Sequence, residues 1–279
     1  MDAAPLPCSP LPLASLPATR LRALQWVLTD IDDTLSTDGR LTAPAYAAMQ
    51  ALAESGLKVV PVTGRPAGWC DMIARFWPVA AVVGENGALW YSYDHASRRM
   101  RRHQAQDENT RTAGRARLET LASQAMQAVP GCAIAADQPF RLFDVAVDFR
   151  EDVAPLGLDA AERIAGIFRA GGAEAKVSSI HVNAWIGGWD KLSGLRHLFA
   201  TLWQELDGAL DRVAYLGDSP NDSPIFAAVP LSVGVANVRP FLPAMPARPA
   251  YITRAPAGEG FVEFAAALLA ARNEPGETT

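Results

Sequence analysis

The sequence predicts an α/β fold, in which a three-layer core built on a parallel sheet carries an inserted α+β unit. Short apolar runs without polar alternation recur along the chain, and such runs are typical of strands buried on both faces. Helical stretches alternate with these runs over 20–91 and again over 184–272, which predicts parallel strands joined by crossovers. Residues 92–183 are more polar and contain alternating strands. We therefore predict a discontinuous core of 20–91 and 184–272, and an inserted domain of 92–183.

Composition excludes several classes of function. The 279 residues are 49% hydrophobic, enough for a sizeable core, and the formal net charge of −5 argues against a general nucleic-acid or membrane-surface binder. The three cysteines lack C-x-x-C spacing and the histidines lack H-E-x-x-H spacing, so neither a disulfide framework nor a zinc site is predicted. No apolar stretch approaches the ~18–20 residues of a transmembrane helix. We expect a cytoplasmic protein without nucleic-acid or membrane partners, and the oligomeric state is not readable.

The two ends of the chain are predicted to be irregular. Residues 1–19 form a leader with five prolines, which would break the helical part of a signal peptide. Residues 273–279 are predicted to be a disordered tail.

The elements of the first core segment follow from turn and capping residues. The apolar run of Trp26, Val27 and Leu28 predicts a short buried strand, Pro44 fits the first turn of a helix, and Gly56 closes that helix. The predicted elements are a helix that starts at Thr42 or Ala43 and runs to about 54, a strand over 57–62, a helix over 67–76, a strand over 79–83, and an apolar run over 88–93.

The insert and the second core segment are interpreted in the same way. The basic side chains between 98 and 117 are interpreted as a solvated helix face rather than an anion-binding patch. The insert is predicted to contain helices over 107–128 and 158–170, and strands over 133–136, 143–149, 175–178 and 180–185. The core then resumes with helices over 191–206, 224–228 and 260–272, and strands over 212–216, 231–235 and 251–253, the last at the sheet edge.

The first strand ends in the acidic motif Asp30-Ile31-Asp32-Asp33-Thr34. Asp30 and Asp32 are two residues apart, so they point to the same side of an extended backbone. Two adjacent carboxylates repel each other unless a cation lies between them, and Mg²⁺ is a common partner of such oxygen ligands. By itself the motif is equally compatible with an acidic surface loop.

Three further polar clusters follow predicted core strands or begin the helix beyond one. In an open parallel sheet, ligands bind at the carboxyl ends of the strands, so all four clusters are predicted to converge. The three are Thr63-Gly64-Arg65, Lys191, and Gly217-Asp218-Ser219-Pro220-Asn221-Asp222.

In this order the four clusters resemble the haloacid dehalogenase-like (HAD) phosphatase superfamily. The long insert between the second and third clusters, preceded by Gly84-Glu85-Asn86-Gly87-Ala88, is similar to subfamily IIB, with its Cof-type, sucrose-phosphate and mannosyl-3-phosphoglycerate phosphatases. The resemblance covers about residues 24–270. It implies a Rossmann-like three-layer parallel-sheet core with an inserted α+β cap of the C2B type.

Phosphoryl transfer needs an in-line nucleophile, a proton donor and positive charge around the phosphoryl oxygens. Asp30 is the candidate nucleophile that forms an aspartyl-phosphate, and Asp32 the candidate acid and base. The resemblance implies these same roles, and a Mg²⁺ site made by Asp30, Asp32 and Asp218, with Asp32 contributing its backbone carbonyl. Thr63 and Lys191 are then the remaining catalytic candidates, which bind the phosphoryl group.

Supporting roles are predicted for a second group of residues. We interpret Glu85-Asn86-Gly87 as a tight turn rather than a catalytic element, and for Arg65 a structural salt bridge and a ligand contact stay open. The phosphate-binding or supporting candidates are Gly64, Arg65, Asn221 and Asp222. The candidate substrate-reading residues of the cap are Arg141, Asp148, His181 and Asn183.

The sequence as a whole predicts a Mg²⁺-dependent phosphatase that acts on a small phosphorylated metabolite, with a sugar phosphate as the expected class. A phosphohexomutase is the alternative enzyme, since phosphomannomutases share this core and cap. A catalytically silent binding or regulatory protein is the alternative of another class. The identity of the substrate is not readable from the sequence.

Overall fold

A computed structural model describes residues 9–273. In chain order its strands are β1 (Leu11–Pro12), β2 (Trp26–Thr29), β3 (Lys58–Pro61), β4 (Val82–Gly84), β5 (Leu89–Asp94), β6 (Arg99–Gln104), β7 (Ala133–Ile134), β8 (Asp144–Asp148), β9 (Glu174–Val177), β10 (His181–Trp185), β11 (Val213–Gly217), β12 (Leu231–Gly234) and β13 (Tyr251–Ile252). Its α-helices are α1 (Ala18–Arg22), α2 (Ala43–Glu54), α3 (Ala67–Phe76), α4 (Glu108–Ala128), α5 (Leu158–Ala170), α6 (Lys191–Leu202), α7 (Ser223–Ala228) and α8 (Ala257–Asn273). The predicted tail lies mostly outside the described residues.

The chain folds into two compact units. The first, called here the sheet unit, comprises the described residues 9–61, 78–80 and 199–273, and the second, the insert unit, comprises 62–77 and 81–198. The predicted domain boundaries at 91/92 and 183/184 stay a prediction, because the two units are defined by their compactness and not by the limits of an inserted domain.

The sheet unit is built on six strands in the order β1-β13-β12-β11-β2-β3, and every neighbouring pair is parallel. The central strands β2, β11 and β12 are buried along their whole length, as expected of a sheet covered on both faces. Helix α8 packs on α1 and α2. The predicted fold class, an α/β parallel-sheet core with an inserted α+β unit, is confirmed.

Strand β2 occupies the point at which the strand order reverses. From β2 the chain continues to β3 on one side, and β11 lies on the other side of β2. In open parallel sheets a ligand crevice forms at such a point, outside the carboxyl ends of the strands. The loops that leave β2 and β11 therefore lie side by side where a binding site is expected.

The insert unit contains two antiparallel sheets. One has the order β7-β8-β10-β9 and the other the order β4-β5-β6. Helices α4 and α5 pack against each other and against the four-stranded sheet, around a hydrophobic cluster that includes Leu118, Val147 and Phe168. This arrangement is the α+β unit that the alternating strands predicted.

Four sequence-based expectations need correction. The leader is not irregular throughout, since Leu11–Pro12 forms β1 and pairs with β13, so β13 is not the edge strand. The predicted third parallel strand is β4, which pairs with β5 in an antiparallel hairpin and touches Val62 through one parallel bridge. The arginines near residue 100 lie on β6 rather than on a helix. An edge strand with charged side chains lacks the apolar alternation that marks a strand in sequence.

Within the described residues, no helix combines the length and the hydropathy that crossing a membrane requires.

Candidate active site

Three buried carboxylates of the sheet unit form a compact cluster. Asp30, Asp218 and Asp222 are 4%, 0% and 0% exposed, and each offers an oxygen within 4.8 Å of the others. Carboxylates at this separation repel one another in a buried environment. A hard cation would relieve that repulsion, so the cluster could bind a metal ion.

Asp30 is held at the exit of β2. Its backbone N–H donates to Leu216 O on β11 at 2.9 Å, which extends the parallel pairing beyond the strand. Its Oδ1 accepts from the backbone N–H of Ile31 at 2.8 Å. The side chain is thus fixed beside the loop that follows β11, and this brings Asp30 next to Asp218.

Asp218 follows β11 and accepts hydrogen bonds on both oxygens. Thr34 Oγ1 donates to Oδ1 at 3.3 Å and Asn237 Nδ2 donates to Oδ2 at 3.3 Å. Asn237 also donates to Asp33 O at 2.9 Å and accepts from Ala257 N–H at 2.8 Å. It therefore ties three loops together. Asn237 was not among the sequence-predicted site residues, although it is a polar residue after β12, and ligands are expected at the carboxyl ends of parallel strands.

Asp222 orients the loop of Asp218. Its Oδ2 accepts from the backbone N–H groups of Asp218 and Ser219 at 2.9 and 3.1 Å, and its Oδ1 accepts from Tyr215 Oη at 2.5 Å. Burial, followed by the carboxylates of Asp222, Asp30 and Asp218, raises the pKa of Tyr215 well above its ordinary value. A Cβ at Gly217 would collide with the Asp222 carboxylate, so glycine is required where this loop begins.

Replacement of Tyr215 by phenylalanine is expected to loosen this loop. The change removes a buried donor from a charged acceptor, which costs about 1.5–3 kcal/mol. Urea unfolding measures the loss, and Tyr251→Phe, at a tyrosine of β13 in the same sheet, is the matched control. Equal stability of the Tyr215→Phe variant and the wild type would contradict the conclusion that the hydrogen bond from Tyr215 to Asp222 stabilises this loop.

Asp32 and Asp33 stand outside the carboxylate cluster. The predicted metal set of Asp30, Asp218 and the backbone carbonyl of Asp32 stays a prediction, and Asp222 is the third carboxylate of the cluster. The side chain of Asp32 is half-buried. Asp33 has φ +55°, the left-handed region in which glycine is favoured, and its backbone carbonyl is the atom that Asn237 contacts. Asp33 therefore braces the loop.

In the insert unit, Thr63 and Arg65 lie in a buried turn. Thr63 Oγ1 accepts from Arg65 N–H at 3.0 Å. Arg65 pairs with Glu151 at 2.5 Å and, at 3.4 Å, with Asp137, and its guanidinium lies 4.4 Å from the ring centre of Trp69. Of the two roles left open for Arg65, these contacts favour the structural salt bridge.

Arg141 is the centre of a buried ion network. Its guanidinium donates to both oxygens of Asp137 at 2.8 Å, to Asp144 at 3.1 Å and to Gly64 O at 2.8 Å. Nearby, the Glu85 carboxylate accepts from the backbone N–H groups of Ala67, Leu142, Phe143 and Asp144. These contacts account for the burial of Arg141 without a substrate.

The other cap candidates also have protein partners. Asp148 accepts three backbone N–H groups of the following turn, from Arg150, Glu151 and Asp152. His181 Nε2 lies 2.9 Å from Glu151 Oε2. Asn183 Nδ2 donates to Asp144 Oδ2 at 2.8 Å, while its Oδ1 lies beside Gly64. Asn183 and Arg141 are therefore the cap candidates whose side chains border the predicted phosphate-binding glycine.

Glu151 makes the insert unit sensitive to acid. Burial tends to raise its pKa, but hydrogen bonds from His181 and Arg65 and the charge of Arg65 lower it to about 2. Because the pKa is depressed below the ordinary ~4.3, this stabilisation is present above that value and is lost as the pH falls toward 2. We expect Glu151→Gln to make acid unfolding less steep between about pH 4 and pH 2.

Thermal unfolding across this pH range measures the effect. Glu174→Gln, at an exposed position on β9, is the control. If the unfolding temperature of Glu151→Gln depends on pH as that of the wild type does, the depressed pKa assigned to Glu151 is contradicted.

The remaining predicted residues are buried in their units. Lys191 begins α6 and is 2% exposed. Asn221 is buried, and its Oδ1 accepts from Ser219 Oγ at 2.8 Å. The sheet unit therefore brings together Asp30, Asp218, Asn221 and Asp222. The insert unit brings together Thr63, Gly64, Arg65, Arg141, His181 and Asn183.

Comparisons with known proteins agree with the predicted fold. A family model described as haloacid dehalogenase-like hydrolase matches residues 27–114. No curated protein matches the sequence. Among solved structures, a HAD/Cof-like hydrolase from Plasmodium vivax is 14% identical, covers 91% of this chain and 98% of its own, and has a TM-score of 0.65.

Two phosphatases share the fold as well. A sucrose-phosphatase from Synechocystis sp. PCC6803, solved with sucrose and phosphate, is 13% identical with a TM-score of 0.59, over 88% of this chain and 98% of its own. A HAD subclass IIB sugar phosphatase is 13% identical with a TM-score of 0.60, over 89% of this chain and 100% of its own. The predicted resemblance to HAD-like hydrolases of subfamily IIB is confirmed.

Proposed function

We propose that this HAD-like chain is a Mg²⁺-dependent phosphatase that hydrolyses a small phosphorylated metabolite through an aspartyl-phosphate at Asp30. The observation that carries the proposal is the buried cluster of Asp30, Asp218 and Asp222 at the exits of two adjacent parallel strands. A cluster used only for structure would leave three like charges buried together at a cost. In a metal-dependent site, a bound cation offsets the repulsion between these charges.

The donor set fits Mg²⁺. All three side chains offer carboxylate oxygens, the hard ligands that Mg²⁺ prefers. Asp30 and Asp218 would hold the cation, while the oxygens of Asp222 already accept from Tyr215 and from two backbone N–H groups. When bound, Mg²⁺ supplies positive charge to the phosphoryl oxygens.

In the two half-reactions Asp30 acts as the nucleophile, and Asp32 acts first as the acid and then as the base. A carboxylate oxygen of Asp30 attacks phosphorus, so that an Asp–O–P bond forms as the ester O–P bond breaks. Asp32 gives a proton to the departing oxygen, which leaves as an alcohol. Asp32 then takes a proton from water, the water oxygen attacks phosphorus, and inorganic phosphate and free Asp30 result.

The phosphate-binding roles of Thr63, Gly64 and Lys191 are part of the proposal. Support comes from the order of the sequence motifs and from chemistry, since a lysine ammonium is a compact charge suited to a phosphoryl group. Arg65, Asn221 and Asp222 are proposed as supporting residues. A sugar phosphate is the proposed substrate class, and the fold shared with two sugar-phosphate hydrolases supports it.

A panel of hexose, pentose, disaccharide and glycerate phosphates tests the proposal. Purified protein with Mg²⁺ is expected to release inorganic phosphate from at least one of them, and a chelator is expected to stop the release. Conversion of a hexose 1-phosphate to the 6-phosphate without phosphate release would show a phosphohexomutase instead. If the wild type hydrolyses no phosphoester of the panel and Asp30→Asn behaves as the wild type does, the protein is a catalytically silent binding protein.

A further inference from the structure

A groove of two adjoining cavities lies along α4 in the insert unit. The cavities have volumes of about 340 and 530 Å³ and share Arg115 and Glu119 in their walls. Small-molecule sites in proteins occupy about 300–1,000 Å³, so this groove, called here the α4 groove, is large enough for a ligand. No chemical step proposed above uses a residue of its walls.

Arg111 brings an unneutralised charge to the smaller cavity. Its guanidinium donates to the neutral Gln104 Oε1 at 3.3 Å and lies 5.5 Å from the ring centre of Phe143. Among the described residues, no carboxylate lies within ion-pair distance of it. Because hydrogen bonds from arginine to an anion are stronger than those to a neutral acceptor, Arg111 is suited to pair with an anionic ligand.

Arg115 is held beside Arg111 with donors to spare. Its Nη1 donates to Asp144 O at 2.9 Å and its Nη2 donates to Arg141 O at 3.1 Å, and a guanidinium has more N–H donors than these two carbonyls use. The nearest carboxylate, that of Glu119, is 66% exposed and lies 3.9 Å from Nε. Such exposed pairs contribute little, so an anion from solvent can replace Glu119 at Arg115.

The larger cavity is apolar beyond the shared Arg115 and Glu119. Its wall contains Ile134, Pro139 and Val145. The amide of Gln138 is also in this wall, but it is already satisfied, since Nε2 donates to Asp144 O and Oε1 accepts from Ala146 N–H. This half of the groove therefore suits the apolar part of a ligand.

We propose that the α4 groove binds a small amphiphilic anion, with its charged head at Arg111 and Arg115 and its apolar body against Ile134, Pro139 and Val145. The head is a carboxylate or a phosphate-type group, because both present the oxygens that a guanidinium pairs with. The site is a second one, and it does not depend on the proposed phosphatase function.

Arg111 and Arg115 belong to the basic stretch that was interpreted from the sequence as a solvated face. The cavity beside them comes from the packing of α4 against residues 134–145, which no local pattern reveals. The structure thus favours anion binding for these two arginines.

Calorimetry with four probes, in the presence of a chelator that removes Mg²⁺, tests the proposal. Octanoate and octylphosphonate have the charged head and the apolar body, octanol lacks the charge, and acetate lacks the body. At least one of the two amphiphilic anions should bind the wild type about tenfold more tightly than octanol and acetate do. The tighter of the two identifies the head group as a carboxylate or a phosphate type. Failure of both to bind, or equal binding by octanol or acetate, would overturn the proposal.

Arg111→Met tests the charged half of the groove. It should weaken the binding of the preferred anion by about tenfold or more, because a charge-assisted hydrogen bond is lost, and Arg111→Lys should restore part of the affinity. Arg101→Met, at an exposed position on β6 outside the groove, is the control and should bind as the wild type does.

Ile134→Ser tests the apolar half. It should weaken the binding of the same anion by about threefold to tenfold, because apolar contact is lost. Leu158→Ser is the matched control, since Ile134 and Leu158 are 36% and 41% exposed and Leu158 lies outside the groove. Circular dichroism checks that all variants are folded. Unchanged affinity in Arg111→Met or in Ile134→Ser would show that the anion binds elsewhere, and the proposal would be wrong.

Discussion

Asp30→Asn is expected to lose phosphatase activity by about 10³–10⁵-fold while its metal-free form unfolds at a higher temperature than the wild type. The amide is a poor nucleophile, so the Asp–O–P bond cannot form. The same change removes one of three buried carboxylates that lie within 4.8 Å of one another, and it thereby relieves their repulsion. Phosphate release and thermal unfolding in the presence of a chelator measure the two effects.

Mg²⁺ should act in the opposite direction, because it stabilises the wild type more than Asp30→Asn. At about 100 times its dissociation constant, a bound ion stabilises the wild type by about 2.7 kcal/mol, and Asp30→Asn should lose most of this gain. Asp32→Asn is the matched control, since its side chain lies outside the cluster and the Mg²⁺ effect should persist. An Asp30→Asn variant that keeps wild-type turnover, or that is less stable than the wild type without metal, would contradict the account.

Arg141→Met is expected to destabilise the insert unit by about 3–5 kcal/mol. The guanidinium is fully buried and neutralises Asp137 and Asp144. Methionine has a comparable length but no charge, so Asp144 would remain buried without its cation and Asp137 would keep only its longer pair with Arg65. Urea unfolding followed by tryptophan fluorescence measures the loss.

The same variant tests the sequence-based hypothesis that Arg141 reads the substrate. Under that hypothesis KM rises and stability changes little, whereas the ion network predicts a large loss of stability. Arg99→Met, at an exposed position on β6, is the control and should behave as the wild type. A stable Arg141→Met variant with a raised KM would favour the substrate-reading role.

The parallel sheet could be predicted because its strands are short, apolar and buried on both faces. Strand β1 could not, since two residues of a proline-rich segment carry no periodic signal and gain their pairing only from β13. Strand β6 was missed for a related reason. It is an edge strand of a hairpin, where arginines on the exposed face conceal the alternation of a half-buried strand.

The sequence predicts those site residues that directly follow a parallel strand, because ligands bind at the carboxyl ends of such strands. Asp30 and Asp218 follow adjacent strands, which brings them together. Membership of Asp222 in the cluster depends on the conformation of the loop after β11, and the role of Asn237 depends on the loop after β12. Glu85 was predicted as part of a turn, and its partners Leu142 and Phe143 are 57 and 58 residues away in the sequence, beyond any local pattern.

Trapping the intermediate tests the central claim most directly. The protein is mixed with a phosphoester that it hydrolyses in the presence of Mg²⁺, quenched with acid and reduced with borohydride, which converts an acyl phosphate to an alcohol. Mass spectrometry should then find homoserine in place of Asp30, only when the substrate was present. Rapid phosphate release with no modification at Asp30, or with the modification at Asp32 or Asp218 instead, would contradict the account.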